Sequence, residues 1–120
     1  VSSYNKAKGT RWETDLEDYL NGAGLKARRL PRAGAKDIGD LAVTLRSGRV
    51  IILEAKNVKV GNLKEFLRQA EVEATNYCDK YETDTYPVVA QKARQQGTGD
   101  GRITMTVDTL VELLQWEGLA

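Results

Sequence analysis

Residues 37–57 (DIGDLAVTLRSGRVIILEAKN) place two short apolar runs on either side of Arg46-Ser47-Gly48 and leave Asp40, Glu54 and Lys56 at one end of both. β-branched residues at that spacing predict a β-hairpin. Its register can be argued, because a slip of one residue moves every side chain to the other face. A three-residue Arg46-Ser47-Gly48 loop, with Gly48 in the left-handed bulge position, pairs Leu45 with Arg49. Asp40 then stands opposite Glu54, on one face with Ala42, Thr44, Val50, Ile52 and Lys56. A two-residue Ser47-Gly48 turn would oppose Glu54 to Leu41 instead. The serine followed by glycine at the third position favours the longer loop. Both faces of 50–53 are apolar, which predicts a central strand covered on both sides.

Charges inside a hairpin need a reason, since desolvating an unpaired one is expensive. The chain limits what that reason can be. With 120 residues it is expected to form one domain over 1–120. No apolar run approaches a membrane span and no signal-peptide pattern is present, so a cytoplasmic protein is expected. There is no histidine and a single cysteine, Cys78. Catalytic triads and the usual zinc sites are thereby excluded. Catalysis would have to come from carboxylates, lysines, hydroxyls or a metal held by oxygen ligands. The net charge is only +1, but its distribution is uneven. Residues 23–36 hold Lys26, Arg28, Arg29, Arg32 and Lys36 and no acid. Residues 65–84 hold six acids against Arg68 and Lys80. Such a division is the footprint of phosphate binding on one face, or simply of a solvated loop.

Along the chain, residues 1–8 lack periodicity and are expected to be a flexible arm. A helix is predicted over 10–21, with Thr10 and Glu13 as a capping box and Trp12, Leu16, Tyr19 and Leu20 facing the core. An edge strand over 25–30 ends at Pro31, and a basic loop covers 32–39. After the hairpin and a connector over 58–62, Asn62 caps a helix over 63–78 whose apolar face carries Leu63, Phe66, Leu67, Ala70, Ala74 and Tyr77. A strand over 86–90, a basic glycine-rich turn over 92–101 and a strand over 102–107 follow. In that last strand Ile103, Met105 and Val107 face one way. Asp108 then caps a final helix through Trp116, packed by Leu110, Leu113 and Leu114. The order αβββαββα describes a mixed α/β sandwich.

Asp40 and Glu54 on neighbouring strands offer two carboxylates to a hard divalent cation, and the Ala55 carbonyl a third oxygen. Glu54 and Lys56 are two residues apart and share a face. Lys56 could orient an attacking water or stabilise charge on a phosphate, while the metal lowers the water's pKa. The competing reading is a cross-strand salt bridge at the end of a sheet.

Four segments together bear a resemblance: KGTRWE (8–13), RLPRAGAKDIGD (29–40), VIILEAK (50–56) and RQAE (68–71). In this order they resemble the PD-(D/E)xK nuclease superfamily, and within it the Holliday-junction resolvases of archaeal and phage type. The match covers about the first two thirds of the chain. It implies a restriction-endonuclease-like mixed β-sheet flanked by helices, with Asp40 and Glu54 as metal ligands and Lys56 as the catalytic lysine. It adds Glu13 as a further acid, a role that competes with the capping box. Gln69 would contact the site or the substrate backbone, or else is an ordinary exposed helix residue. Glu17 is expected to be a solvated or salt-bridged acid, and Asp37 a loop residue rather than a ligand. Lys8, Arg28, Arg29, Arg32, Lys36, Lys92 and Arg94 are candidate phosphate contacts, which would make binding salt-dependent and indifferent to base sequence.

Two positions depart from the family's pattern. Its proline-aspartate is Gly39-Asp40 here, and the serine that archaeal resolvases carry in the basic loop is Ala33, which favours a phage-like member. The implied function is a Mg²⁺-dependent endonuclease, Mn²⁺ able to substitute, that nicks four-way DNA junctions symmetrically as a homodimer. No membrane or small-molecule cofactor is expected. The alternatives are another nicking or repair nuclease of the superfamily, or a DNA-binding module that keeps the fold without cleaving.

Overall fold

In the computed structural model, described over residues 3–32, 36–59 and 61–120, with residues 3 and 4 by backbone alone, the hairpin forms the middle of a sheet. Strand β2 (Leu41–Thr44) pairs antiparallel with β3 (Val50–Lys56), with Leu41 opposite Leu53 and Thr44 opposite Val50. That is the register expected from a three-residue loop. Gly48 has φ +95°, and the Leu45 N–H donates to the Arg49 carbonyl at 2.9 Å. Short β1 (Ala27–Arg29) flanks β2. On the other side β4 (Thr85–Gln91) runs parallel to β3, and β5 (Arg102–Thr104) closes the edge, giving the order β1-β2-β3-β4-β5. β3 is the central strand.

Parallel pairing of β3 and β4 requires a crossover, which helix α2 (Leu63–Tyr81) supplies. The Asn62 side chain caps it, accepting from the Glu65 N–H at 3.3 Å. On the α2 face, Ala42, Val50 and Ile52 pack with Ala74 and Tyr77 from the helix. On the opposite face, Trp12 and Leu16 from α1 (Ser3–Gly22) meet Leu41, Val43, Leu53, Val88 and Ala90. The Trp12 indole N–H donates to the Ala90 carbonyl at 3.2 Å, which fixes α1 along the sheet. The period-two alternation of β2 and β3 thus feeds two cores, one under each helix. Among the described residues, no helix is long and apolar enough to cross a membrane.

The ends of elements differ from expectation. Helix α1 starts at Ser3, so residues 3–8 are helical rather than an arm, and residues 1–2 lie outside the described region. Thr10 is interior, its carbonyl accepting from the Thr14 hydroxyl at 3.0 Å, and the capping box with Glu13 does not exist. The segment 3–9 has no apolar stripe, but its lysines and alanine suit a helix that projects beyond the core it packs on. β1 is shorter than 25–30, and α2 continues three residues past Cys78. β5 ends at Thr104, and α3 (Val107–Trp116) is capped by Thr106, not Asp108, with the Thr109 N–H donating to the Thr106 hydroxyl at 3.1 Å. Ile103 and Val107 are exposed, and only Met105 of that trio packs on the core. Along α3 only Thr109 is buried. The basic-loop residues 33–35, with Ala33 among them, and residue 60 of the connector lie outside the described region.

Candidate active site

Asp40 stands one residue before β2, whose Leu41 pairs with Leu53, the residue before Glu54. Its backbone N–H donates to the Leu53 carbonyl at 3.0 Å, and its own carbonyl accepts from the Leu30 N–H at 2.9 Å. The residue before it shapes the approach. Gly39 has φ +102°, and a Cβ there would lie 2.5 Å from the Ile52 Cγ2. Proline, locked near −65° and expected at 39 from the resemblance, could not stand there without a different backbone.

The Asp40 carboxylate is held on both oxygens. Oδ2 accepts from the Ala55 N–H at 2.8 Å, and Oδ1 from Arg32 at 3.0 Å. The same Arg32 nitrogen donates to Glu13 Oε2 at 2.8 Å. Glu13 thus reaches the site from α1, round the end of β1, with its capping role gone. Asp40 and Glu54 are both 6% exposed and Glu13 is 5% exposed, so three acids sit out of water around one point of the sheet. Lys56 shares their face as expected. Its ammonium lies 3.6 Å from Glu54 Oε2 and 4.7 Å above the Phe66 ring, a cation–π contact that holds it at the rim.

Burial pushes the Glu54 carboxyl up to about 10, with Asp40 and then Glu73 adding to the rise and Lys56 opposing it. Glu13 is also raised, by burial first and then by Asp40, with Arg32 and Arg29 pulling the other way. Burial disfavours the Arg32 cation, but Asp40 and Glu13 outweigh it and keep the guanidinium firmly charged. A site that draws one cation in between two acids and raises the proton affinity of a third is short of positive charge. Among the described residues no three acids, histidines or cysteines converge tightly enough to enclose an ion by themselves. Mg²⁺ does not need that, since it commonly takes one or two carboxylates and keeps water or substrate oxygens on its other positions. The donor set of Asp40, Glu54 and the Ala55 carbonyl fits such an ion.

Glu73, which in the sequence stands only as one of the acids of a charged stretch, lines the same cavity. The cavity is about 390 Å³ and includes Arg32, Asp40, Glu54, Lys56 and Gln69 in its wall. Burial raises Glu73 to about 8, and Asp37 and Asp40 add to it. The signal was in the spacing: Glu73 follows Ala70 by three and precedes Tyr77 by four, which puts it in the buried stripe of α2. Gln69 lies one turn before it. Asp37 accepts from the Gly39 N–H at 3.0 Å, as a loop residue does, and its carbonyl accepts from Asn76 at 2.8 Å.

The candidate phosphate contacts separate into two groups. Arg28 donates to the Tyr77 hydroxyl at 2.9 Å, Arg29 lies 3.7 Å from Glu13, and Arg32 bridges the site acids, so these three have partners within the chain. The Glu17 carboxylate accepts from the Arg29 N–H at 2.8 Å. Lys36 is exposed next to the undescribed residues 33–35. Lys8, Lys92 and Arg94 come together instead in a second cleft of about 220 Å³, with Arg11 and Asn57. Nothing in the sequence joins Arg11 to Lys92 and Arg94, which arrive from about 80 residues away in the chain.

A scan of the sequence against protein-family models finds no match, and a search of the curated proteins finds none either. Among solved structures the chain is similar to the Holliday junction resolvase Hjc of Archaeoglobus fulgidus, an archaeal hyperthermophile, with 22% identity and a TM-score of 0.54 over 82% of this chain and 72% of that one. The five-stranded mixed sheet flanked by helices is the fold of that archaeal resolvase.

Proposed function

We propose that the protein is a divalent-metal-dependent DNA endonuclease that nicks four-way junctions. The observation that carries this reading is the buried Asp40–Glu54 pair at the open end of β2 and β3, with Lys56 beside it, on a resolvase-like fold. Mg²⁺, or Mn²⁺ in its place, would be held by Asp40, Glu54 and the Ala55 carbonyl, with Glu13 available when Arg32 swings away. When bound, the ion supplies Lewis acidity and lowers the pKa of a water.

The chain's own residues do the rest. The Ala55 N–H fixes the Asp40 rotamer and so aims its other oxygen. Lys56, held by Glu54 and Phe66, is placed to orient a water toward the scissile phosphorus or to meet charge building on the phosphate oxygens. Lys8, Arg11, Lys92 and Arg94 would bear on the backbone of a duplex arm without reading bases. Paired nicks across a junction call for two copies related by a two-fold axis, so a homodimer belongs to the proposal. DNA as the substrate goes with a cytoplasmic site of action.

The test is cleavage of a synthetic four-way junction against matched duplex in Mg²⁺. Symmetric nicks that disappear in Asp40→Asn and in EDTA are expected. Equal cutting of the linear duplex would defeat the junction assignment while leaving a nuclease. Tight junction binding without cleavage in Mg²⁺ or Mn²⁺ would make the protein a binding module.

A further inference from the structure

Glu73 is 5% exposed, and its Oε1 is fully buried with no hydrogen-bond donor among the described residues. Gln69 Oε1, four residues earlier on the same face of α2, is likewise buried without a donor. Both residues line the cavity that Glu54 enters from the sheet. Two acceptor oxygens left bare in one cavity cost free energy unless something positive or protic meets them. The cations in the wall do not supply it. Arg32 is engaged with Glu13 and Asp40, Arg68 with Glu65 at 2.6 Å, and Lys56 with Glu54 and Phe66. What remains is a pair of hard oxygen donors on a helix facing a buried carboxylate on a strand, in a cavity with room for an ion and its waters.

We propose that Glu73, Glu54 and the amide oxygen of Gln69 take a divalent cation on the α2 side of the site, separate from the ion of Asp40 and Glu54 and sharing Glu54 with it. This rests on the metal-dependent reading of the site given above. Water completes the coordination, as it does wherever Mg²⁺ or Mn²⁺ meets few protein ligands. With such an ion, α2 would be part of the metal-binding wall rather than a support for the sheet alone.

The experiment is titration of the metal-free full chain with Mn²⁺, followed by calorimetry and by the electron paramagnetic resonance signal of free Mn²⁺, with no DNA present. Wild type is expected to bind two Mn²⁺ per chain, and Glu73→Gln and Asp40→Asn one each. Gln69→Leu should weaken one of the two about tenfold. It also serves if Glu73→Gln fails to give a native melting profile. One Mn²⁺ per wild-type chain, lost in Asp40→Asn and untouched by Glu73→Gln and Gln69→Leu, overturns the α2 site and leaves the nuclease reading standing. No Mn²⁺ bound by wild type overturns both.

Discussion

The Asp40 carboxylate and the Ala55 N–H meet at 2.8 Å across the β2–β3 pair, so a residue just outside one strand is aimed by the backbone of the next. Replacing Asp40 with asparagine keeps the shape but removes the charge that Arg32 and a cation both require. Junction cleavage should fall by about 10²–10³-fold, the scale for losing one preorganised electrostatic element of a site, while junction binding measured by gel shift in Ca²⁺ stays within a few-fold.

Glu54 makes the site a burden on the metal-free fold. Its folded pKa, about 10, lies above its unfolded value near 4.5, so the native state binds the extra proton. Stability is then greatest at low pH and declines as pH rises through that interval. Thermal melts in EDTA from pH 5 to pH 9 should show a falling Tm, with the fall reduced in Glu54→Gln and the remainder due to Glu73 and Glu13. That variant should melt higher than wild type at pH 8 and cleave nothing. Added Mn²⁺ should raise the Tm of wild type and not of the variant.

Arg32 occupies the space between Glu13 and Asp40 but is 72% exposed at its side chain, so it can be displaced at little cost. Arg32→Ala removes a competing cation. The Mg²⁺ concentration for half-maximal nicking should drop several-fold, with a weaker affinity for junction DNA if the displaced guanidinium goes to phosphate.

The cleft of Lys8, Arg11, Lys92 and Arg94 should account for much of the salt dependence of binding. In Lys92→Ala/Arg94→Ala the slope of log K against log salt should become shallower by about 2, one for each phosphate left unneutralised. The same pair of substitutions should leave Tm unchanged, since both side chains line an open cleft rather than the core.

At the far end of the sheet Glu117 accepts from Ser47 at 2.7 Å and from the buried Tyr86 hydroxyl at 2.7 Å, with Arg49 3.4 Å away. Hydrogen bonds from Ser47 and Tyr86 hold its carboxyl below the usual value. A depressed acid contributes stability above its unfolded pKa and loses it as pH falls. Glu117→Gln, which keeps one acceptor oxygen but loses the charge, should cost about 1 kcal/mol at pH 7, the scale of one net hydrogen bond, and progressively less below pH 4 in urea melts.

What the sequence disclosed depended on where local rules suffice. The hairpin register was readable because Gly48 marks the loop and a period of two leaves no middle course, and Asp40, Glu54 and Lys56 followed from it. The start of α1 was misplaced because Thr10 and Glu13 imitate a capping box while the sequence of 3–9 carries no apolar stripe that would mark a helix. Glu73 is inconspicuous among six acids because its burial depends on how α2 turns against the sheet. The use of Arg28, Arg29 and Arg32 within the chain, and the gathering of Lys8 with Lys92 and Arg94, rest on contacts between distant segments that no spacing encodes.

The bond from the Trp12 indole to the Ala90 carbonyl spans 78 residues of chain. It sets an order of assembly. The strands that carry Asp40 and Glu54 are joined by a three-residue loop, so these acids can meet as soon as the hairpin closes, whereas Glu13 arrives only when α1 docks on the sheet, a step that closes a longer loop. During refolding the acids of the hairpin should therefore be in place before the helix that completes them, and a chain emerging from the ribosome would carry half a site until α1 has docked.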